Sequence, residues 1–293
     1  MKLSIITINY NNLIGLRKTV ESVLSQTMLK GVEYIIIDGA STDGSAEYVR
    51  DIASSVTSNQ SPVTILSVSE PDTGIYNAMN KGIRMATGEY IQILNSGDIL
   101  ASNDVIERML AELERLNAVP VTCNQSPVTE NSVGILYGNM VRGGYNGKTT
   151  IKSGKVDCTL LQFYNSTMNH DCCYIRRELF EKYGYYDENL RIVSDWKWFL
   201  QAIGLGHVTP VYVDIDVTIF DLGGISEQQL ELRNAERRQV LEEVLPPAVL
   251  ADYDRHAFAI TQIQRLKRHH LYGLVWFMER VLFKLEKWGI LKK

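Results

Sequence analysis

Two acidic residues stand at the ends of short apolar segments, where their side chains could bind a ligand. Asp38 follows the apolar run 34–37, and Asp98 closes a polar turn that begins at Asn95. A carboxylate in such a place can accept hydrogen bonds from a uracil N–H or a ribose hydroxyl. It can also hold a hard cation such as Mg²⁺, together with phosphate oxygens and water. Both residues are therefore candidates for binding a phosphate-bearing ligand.

Each carboxylate also has a purely structural interpretation. Asp38 opens the turn DGASTDG and could accept hydrogen bonds from its backbone N–H groups. The segment from Asn95 to Asp98 could be no more than a polar turn after a strand. For Asp43, in the first of these turns, capping of the following helix is the favoured role. On the residues alone, the ligand-binding and structural interpretations of Asp38 and Asp98 both stay open.

The elements that must position these residues alternate between strand and helix. Predicted strands cover 3–9, 34–37, 63–68 and 90–94, and predicted helices begin near 13, 43 and 75. The third helix ends at about Ala86, before Gly88. This alternation favours right-handed βαβ units and a mainly parallel sheet flanked by helices, an α/β fold. Ligands of such sheets bind at the carboxyl ends of the strands, where Asp38 and Asp98 lie.

The second half of the chain is less regular. After Asp98, a helix capped by Ser102 is predicted to run to about Asn117. Residues 118–132 read as a surface insertion, 134–140 as a strand, and the glycine-rich stretch 143–147 as a turn between hairpin strands near 140 and 150. Ser226 with Gln229 predicts a capping box for the next helix.

Length and composition exclude several classes of protein. A chain of 293 residues with 45% hydrophobic residues can bury the core of one large domain with an appendage. Its net charge of −4 does not suit nucleic acid. The turn after the first strand lacks G-x-G-x-x-G, which counts against a nicotinamide dehydrogenase.

Targeting and cysteine patterns favour a cytoplasmic protein. The apolar run 3–8 is too short for a signal peptide, and no run of eighteen apolar residues predicts a membrane span. The four cysteines lack zinc-finger spacing, and adjacent Cys172 and Cys173 are poorly placed to bridge each other. Reduced thiols are the simplest interpretation.

Three segments together resemble the bacterial family 2 glycosyltransferases: LSIITINYNN, IIIDGASTDGS and EPDTGIYNAMNKGIRMATGEYIQILNSGD. The resemblance covers about residues 3–226 and is nearest to transferases of surface-polysaccharide clusters, such as those making colanic acid. It implies the Rossmann-like GT-A fold and transfer of a sugar from a nucleotide-sugar with inversion. It also implies a transferase domain over 1–226, with a nucleotide-binding half 1–100 and an acceptor half 134–226, and a C-terminal helical extension over 227–293.

The resemblance also assigns residues to the donor site. Asp98 becomes the ligand of Mg²⁺ or Mn²⁺, which would neutralise the diphosphate leaving group. The nucleotide-sugar, with uridine as the expected carrier, is assigned to Asn9, Asp38, Glu70, Lys81, Asn95 and His170. Within that set, Asn95 could add a carbonyl ligand or a sugar contact. Lys81 faces either phosphate or solvent, and His170 lines the acceptor or phosphate side.

This chain departs from the family at two places. The family usually has Asp-Ala-Asp-Asp where this chain has Asn95-Ser96-Gly97-Asp98, so only one carboxylate remains. An Asp is also common where this chain has Asn77. These departures leave a catalytically inactive nucleotide-sugar binding module as an alternative. A nucleotidyltransferase is a second alternative, but it predicts a Gly-rich basic loop, which residues 10–12 do not provide.

The segment 170–202, HDCCYIRRELFEKYGYYDENLRIVSDWKWFLQA, resembles part of the family's acceptor half. Asp195 occupies the place of the general base, which would take the proton of the acceptor hydroxyl. An Asp with a pKa of about 3.9 is a weak base, so proton removal should be concerted with attack. The structural alternative is that Ser194 or Asp195 caps a helix.

The C-terminal residues 265–293 carry a distinct charge. They hold eight Lys or Arg and two Glu, a formal +6, so the other 264 residues carry −10. Their apolar side chains recur at helical spacing, which predicts an amphipathic helix. We expect it to bind the anionic inner face of the cytoplasmic membrane, where a lipid-linked saccharide acceptor would be presented. The alternative is a helix packed on the catalytic domain or on a partner subunit.

Overall fold

The computed structural model describes residues 2–58, 63–118, 132–143, 151–221 and 228–288. The chain divides into two compact units, Met1–Val240 and Leu241–Lys293. Three of the four cysteines, Cys158, Cys172 and Cys173, are described, and all three are free thiols.

The first unit is built around one sheet. Its nine described strands are β1 (Leu3–Asn9), β2 (Val32–Asp38), β3 (Thr64–Ser69), β4 (Tyr90–Ile93), β5 (Ile99–Leu100), β6 (Ile135–Arg142), β7 (Ile151–Lys152), β8 (Cys173–Arg176) and β9 (Val211–Phe220). They lie in the order β3-β2-β1-β4-β8-β6-β9-β5, with β7 beside β6. The first four strands are parallel, whereas β8 is antiparallel to both β4 and β6. The predicted α/β fold is confirmed, with a parallel first half and a mixed second half.

Helices flank this sheet and continue after it. They are α1 (Leu13–Leu24), α2 (Ser45–Ser58), α3 (Ile75–Met85), α4 (Val105–Asn117), α5 (Leu160–Asn165), α6 (Glu178–Tyr183), α7 (Ser194–Phe199), α8 (Leu230–Val244), α9 (Pro247–Arg268) and α10 (Tyr272–Lys287). The division between the two units falls within α8. Every residue of β1 and β2 is buried, which explains why the apolar runs in these strands do not alternate with polar residues.

The predicted cap of α4 is wrong. The helix begins at Val105, and the hydroxyl of Ser102 donates to the carboxylate of Asp104 and makes no capping bond. The backbone N–H of Ile106 is instead satisfied by Gln26 Oε1, at 3.1 Å. Because Gln26 lies 80 residues earlier in the chain, local sequence could not reveal this cap.

Other predictions concern the hairpin and residues outside the described ranges. The two hairpin strands are found as β6 and β7, which pair antiparallel through Val141–Lys152 and Arg142–Ile151. Nearly all of the predicted insertion 118–132, the turn 143–147 beyond Gly143, and Ser226 of the capping box lie outside the described residues. Among the residues that are described, no helix is long and apolar enough to cross a membrane.

Candidate active site

The loops that follow β1 and β2 are joined at the carboxyl edge of the sheet. Asn9 Nδ2 donates to Asp38 Oδ1 at 2.8 Å. The backbone N–H of Asn11 donates to Ser41 Oγ, and Asn11 Oδ1 accepts from the N–H of Thr42, both at 2.8 Å. Asn11 and Ala40 have φ angles of 49° and 58°, in the left-handed region that non-glycine residues rarely adopt. Strained backbone of this kind clusters at functional sites of proteins.

Asp38 is fully occupied by the protein itself. Its Oδ1 accepts from Asn9 and from the hydroxyl of Ser41, while its Oδ2 accepts from the Ser41 N–H and the hydroxyl of Ser69. Burial opposes ionisation, but these hydrogen bonds together lower the pKa of Asp38 below its usual value. A nucleotide could reach this carboxylate only by displacing one of these donors. In this geometry Asp38 orders the two loops, as the structural interpretation expects.

A second carboxylate lies above the same loop. A Cβ added to Gly39 would come within 2.6 Å of Asp72 Oδ2 and 3.2 Å of the ring of Tyr10. Tyr10 is exposed, and Asp72 Oδ1 accepts from the N–H of Gly74 at 3.1 Å. Gly39 therefore lets an aromatic ring and a carboxylate approach the backbone after β2 closely.

Glu70 and Lys81 meet in an ion pair. Lys81 Nζ lies 2.8 Å from Glu70 Oε1 and donates to the carbonyl oxygen of Pro71 at 2.9 Å. The N–H of Glu70 donates to the carbonyl oxygen of Asp38, which attaches this loop to the end of β2. Because the pair is partly exposed, its contribution to stability is small. Its geometric effect is to hold the loop that carries Asp72.

The turn that carries Asp98 is clamped by α1. Thr19 Oγ1 donates to the carbonyl oxygen of Asp98 at 2.7 Å and accepts from the N–H of Gly97 at 2.9 Å. Asn12 Nδ2 donates to the carbonyl oxygen of Ser96 at 3.1 Å. The turn after β4 is therefore held rigidly at the same edge as Asp38.

Asp98 is buried beside other acidic side chains. Its Oδ1 accepts from the N–H of Asp221 at 2.9 Å. Burial, followed by the charge of Asp171, raises the pKa of Asp98 to about 7. Asp171 itself accepts from the hydroxyl of Thr218 at 2.7 Å. An ionised Asp98 is thus costly in this environment, and a nearby cation would offset the cost.

The carboxylate of Asp221 lies close to Gly97. Gly97 has a φ of 111°, and a Cβ added there would lie 3.0 Å from Asp221 Oδ2. The carboxylate at the end of β9 thus lies beside the position where the family has a second Asp. No local pattern marks Asp221 as a site residue, although the segment FDLGGIS that contains it ends the region of resemblance.

The residues at this turn fit a divalent cation. Asp98 and Asp221 offer carboxylates, and Asn95 Oδ1 is buried without a hydrogen-bond partner among the described residues. Oxygen ligands of this kind suit Mg²⁺ or Mn²⁺. In the part of the chain that is described, no group of three or more His, Cys, Asp or Glu side chains could hold a metal ion. A cation here would therefore need phosphate oxygens and water as further ligands.

A chain of hydrogen bonds runs from this turn to Asp195. Asn95 Nδ2 lies 3.3 Å from His170 Nε2, and His170 Nδ1 lies 3.1 Å from Asp195 Oδ2. Tyr76 Oη lies 2.8 Å from Asp195 Oδ1 and 2.6 Å from the carbonyl oxygen of Ile192, so its single proton can serve only one of them at a time. Three of the residues predicted from sequence, Asn95, His170 and Asp195, are therefore brought together, and Tyr76 joins them.

The charges of this chain are coupled. Burial alone would raise the pKa of Asp195, but the hydrogen bond and charge of His170, with the hydroxyl of Tyr76, hold it below its usual value. Burial opposes the charge on His170, yet Asp195 raises the pKa of His170 to about 9. A protonated His170 needs the amide of Asn95 to turn so that Oδ1 accepts from Nε2–H. Protonation of His170 and a cation at the turn therefore compete for the same amide oxygen.

Asp195 does not act as a helix cap. Val193 occupies the N-cap position of α7, with no side-chain capping bond, and both Ser194 and Asp195 lie inside the helix. About 17% of the Asp195 side chain stays accessible, which leaves room for a small polar group to approach. The capping interpretation of Asp195 is therefore wrong.

Two carboxylates outside the site hold the loop before Asp195. Glu236 on α8 accepts from the N–H groups of Arg191 and Ile192, at 2.7 and 2.9 Å. Glu188 accepts from Asn77 Nδ2 at 2.7 Å and from Asn80 Nδ2 at 2.8 Å. Asn77, one of the departures from the family pattern, thus anchors this loop, and an Asp there would face Glu188. Local sequence marks neither glutamate, because each accepts hydrogen bonds from residues far along the chain.

Comparisons with known proteins agree on one family. The model of glycosyl transferase family 2 matches residues 4–184. An uncharacterized glycosyltransferase of Mycobacterium tuberculosis is 30% identical over 229 residues, 77% of each chain. A PGL/p-HBAD biosynthesis glycosyltransferase of the same species is 25% identical over 195 residues, 66% of this chain and 67% of that one.

Solved structures share the fold at low sequence identity. Staphylococcus aureus TarS residues 1–349 in complex with UDP-GlcNAc has a TM-score of 0.58 at 18% identity, covering 85% of this chain and 69% of that one. A mannosyltransferase from Pyrobaculum calidifontis with GDP-Man and Mn²⁺ has a TM-score of 0.57 at 18% identity, covering 83% and 63%. This chain covers only 41% of a longer TarS chain. At these identities the likeness shows the fold alone.

Proposed function

We propose that this chain, which belongs to glycosyl transferase family 2, transfers a sugar with inversion from a nucleoside-diphosphate sugar to a hydroxyl group. The carrier is uridine diphosphate. The acceptor is a lipid-linked saccharide of a bacterial surface polysaccharide, in the manner of the colanic-acid transferases that the sequence resembles. The transfer is assisted by Mg²⁺ or Mn²⁺.

One observation supports catalysis most directly. The partly accessible carboxylate of Asp195 is joined through His170 to Asn95, in the turn that also carries Asp98. A proton acceptor and the oxygen ligands for a cation therefore face one edge of the sheet. An inverting transfer needs these two functions on opposite sides of the sugar that moves.

The residues divide the work as follows. Asp195 accepts the proton of the acceptor hydroxyl while that oxygen attacks the sugar carbon and the bond to the diphosphate breaks. His170 and Tyr76 hold the carboxylate in place, and because they lower its basicity, proton transfer is concerted with attack. Asp98, Asp221 and Asn95 would hold the cation, which would supply positive charge to offset that of the departing diphosphate. Asp38 and Asn9 order the loops on which the nucleotide lies.

Names of similar proteins support the donor and acceptor classes. One structural neighbour was solved with UDP-GlcNAc and another with GDP-Man and Mn²⁺, so nucleotide-sugars and a divalent metal suit this fold. A relative is named for PGL/p-HBAD biosynthesis. We extend these observations to this chain by assigning it a uridine carrier and a lipid-linked acceptor.

The test combines donor screening with one isosteric variant. UDP- and GDP-sugars are incubated with alkyl glycosides and Mn²⁺, and release of nucleoside diphosphate is measured. Asp195→Asn removes the proton acceptor but keeps the shape of the side chain, so we expect turnover to fall by roughly 10²-fold or more with donor affinity unchanged. Asp51→Asn, an exposed change on α2, is the matched control and should leave turnover unchanged.

The same experiment distinguishes a catalytic transferase from the alternative, an inactive nucleotide-sugar binding module. An inactive binding module is favoured by Gly97, which replaces a carboxylate of the family motif. The binding-module hypothesis predicts that wild type binds a nucleotide-sugar but releases no nucleoside diphosphate with any acceptor, and that Asp195→Asn behaves identically. This result would show that the proposal of catalysis is wrong.

A further inference from the structure

The C-terminal helix α10 exposes an unusual number of apolar side chains. Of the seventeen large hydrophobic side chains exposed among the described residues, nine lie between 271 and 288. They are Leu271, Leu274, Trp276, Phe277, Met278, Val281, Leu282, Phe283 and Trp288. A soluble protein rarely leaves a continuous apolar surface of this kind without a partner.

The charges on α10 are segregated from one another. At about 100° per residue, Leu274, Phe277 and Val281 project on one side of the helix, and Glu279 and Glu286 project on the opposite side. Three basic side chains, Arg280, Lys284 and Lys287, lie along one edge of the apolar side and form the basic border of α10. The guanidinium of Arg280 lies 4.5 Å from the centre of the Trp276 ring. An apolar strip bordered by basic and aromatic side chains matches the boundary between lipid headgroups and acyl chains.

Charge decides between a membrane and a second copy of the chain. Residues 265–293 carry a formal +6, including Arg265, Lys267 and Arg268 just before α10, whereas the rest of the chain carries −10. Two copies that met through α10 would bring two positive segments together. Anionic lipid headgroups would instead be attracted by this segment and repelled by the remainder of the molecule.

We propose that α10, with the basic residues before it, is a docking surface that lies in the headgroup region of an anionic bilayer. In this proposal α10 lies along the surface of the bilayer, so the contact is peripheral. The docking follows from the exposed residues and their charge. Its use, to bring the transferase to a lipid-linked acceptor at the inner face of the cytoplasmic membrane, rests on the proposed function.

The experiment measures co-sedimentation of the full chain with vesicles. We expect binding to phosphatidylcholine vesicles that contain phosphatidylglycerol, weak binding without it, and loss of binding at high salt. Replacing the basic border, Arg280, Lys284 and Lys287, with Gln should weaken binding by roughly 10²-fold. The control replaces the exposed Lys18, Lys30 and Lys155 with Gln, which removes equal charge elsewhere and should not weaken binding.

A second pair of variants tests the apolar contribution. Leu274→Ser with Phe277→Ser removes two exposed apolar side chains from the apolar side of α10 and should weaken binding even at low salt. Phe258→Ser removes an exposed ring from α9 and should have no such effect. Absence of binding at low salt, or equal binding by all variants, would overturn the proposal. Self-association of the full chain that the Leu274/Phe277 variant abolishes would show a second copy to be the partner instead.

Transfer to a water-soluble alkyl glycoside is measured in parallel. All these variants should retain it, because none of the substituted residues belongs to the candidate active site. Loss of vesicle binding with transfer retained therefore concerns docking alone, whereas wild type that binds vesicles but transfers nothing would contradict the proposed function alone.

Discussion

In the metal-free protein, the ionised carboxylate of Asp98 should lower the free energy of unfolding. The variant Asp98→Asn should therefore be more stable than wild type. Burial, followed by the charge of Asp171, raises the pKa of Asp98 from 3.8 to about 7. At about 1.4 kcal/mol per unit, ionising this carboxyl in the folded state costs about 4 kcal/mol relative to the unfolded chain. An Asn has no charge to desolvate, and its Oδ1 can still accept from the N–H of Asp221.

The effect should depend on pH with a definite sign. The pKa of Asp98 is higher in the folded than in the unfolded protein. The stability that protonated Asp98 contributes is therefore fully present below about pH 4 and is lost as pH rises through about 7. Near pH 8 the variant should therefore be more stable than wild type by about 4 kcal/mol, and near pH 5 by only about 2 kcal/mol.

Urea unfolding in the presence of a chelator measures both values. Mn²⁺ should then raise the unfolding midpoint of wild type, whereas the variant should respond weakly and should have lost nearly all turnover. Asp51→Asn serves again as the control for an exposed Asp. If Asp98→Asn is less stable than wild type near pH 8, or if the difference does not change with pH, our account of this carboxylate is refuted.

Three further substitutions test other parts of the site. His170→Asn should destabilise the protein most below about pH 6.5 and least above about pH 9. The pKa of His170 is raised in the folded protein, so the stability that its charged form contributes is lost as pH rises through that range. Urea unfolding midpoints measured against pH check this. Asn77→Asp should lower the free energy of unfolding by about 1 kcal/mol, because the new carboxylate would face Glu188, and kcat should not change. Adding Glu188→Gln should restore the stability. A fall in kcat would mean that position 77 acts in catalysis. Gly39→Ala should weaken donor binding about tenfold without unfolding the protein, because the added Cβ would clash with the side chains of Asp72 and Tyr10. Titration calorimetry measures the affinity. Unchanged affinity would place the nucleotide elsewhere.

Local pattern predicted the first half of the fold well, because buried parallel strands produce unbroken apolar runs. The run 34–37 lies within β2, and the segment 3–9 coincides with β1. In the second half, strand β6 and its hairpin with β7 were predicted, but β8 gave no local signal because it is short and lies between two antiparallel neighbours. Its four residues carry no period long enough to identify a strand.

The candidate site shows the same contrast. Resemblance marked Asn95, His170 and Asp195, and the structure joins them in one chain of hydrogen bonds. The partners of these residues were invisible, since Tyr76 reaches Asp195 across 119 positions and Asp221 reaches Asp98 across 123. Contacts over such separations depend on the tertiary fold, which a local pattern does not encode.

The short strand β5 has a consequence for the order in which the protein is made. Ile99 and Leu100 pair with Ile219 and Thr218 of β9, so the turn before β5 receives its last neighbour only when residues near 220 have been synthesised. A nascent chain can therefore assemble β1 to β4 early, while the turn that carries Asp98 remains open on one side. Translation products that stop before β9 would contain Asp98, His170 and Asp195 yet lack Asp221. Premature termination would thus yield chains that fold in part but cannot complete the site.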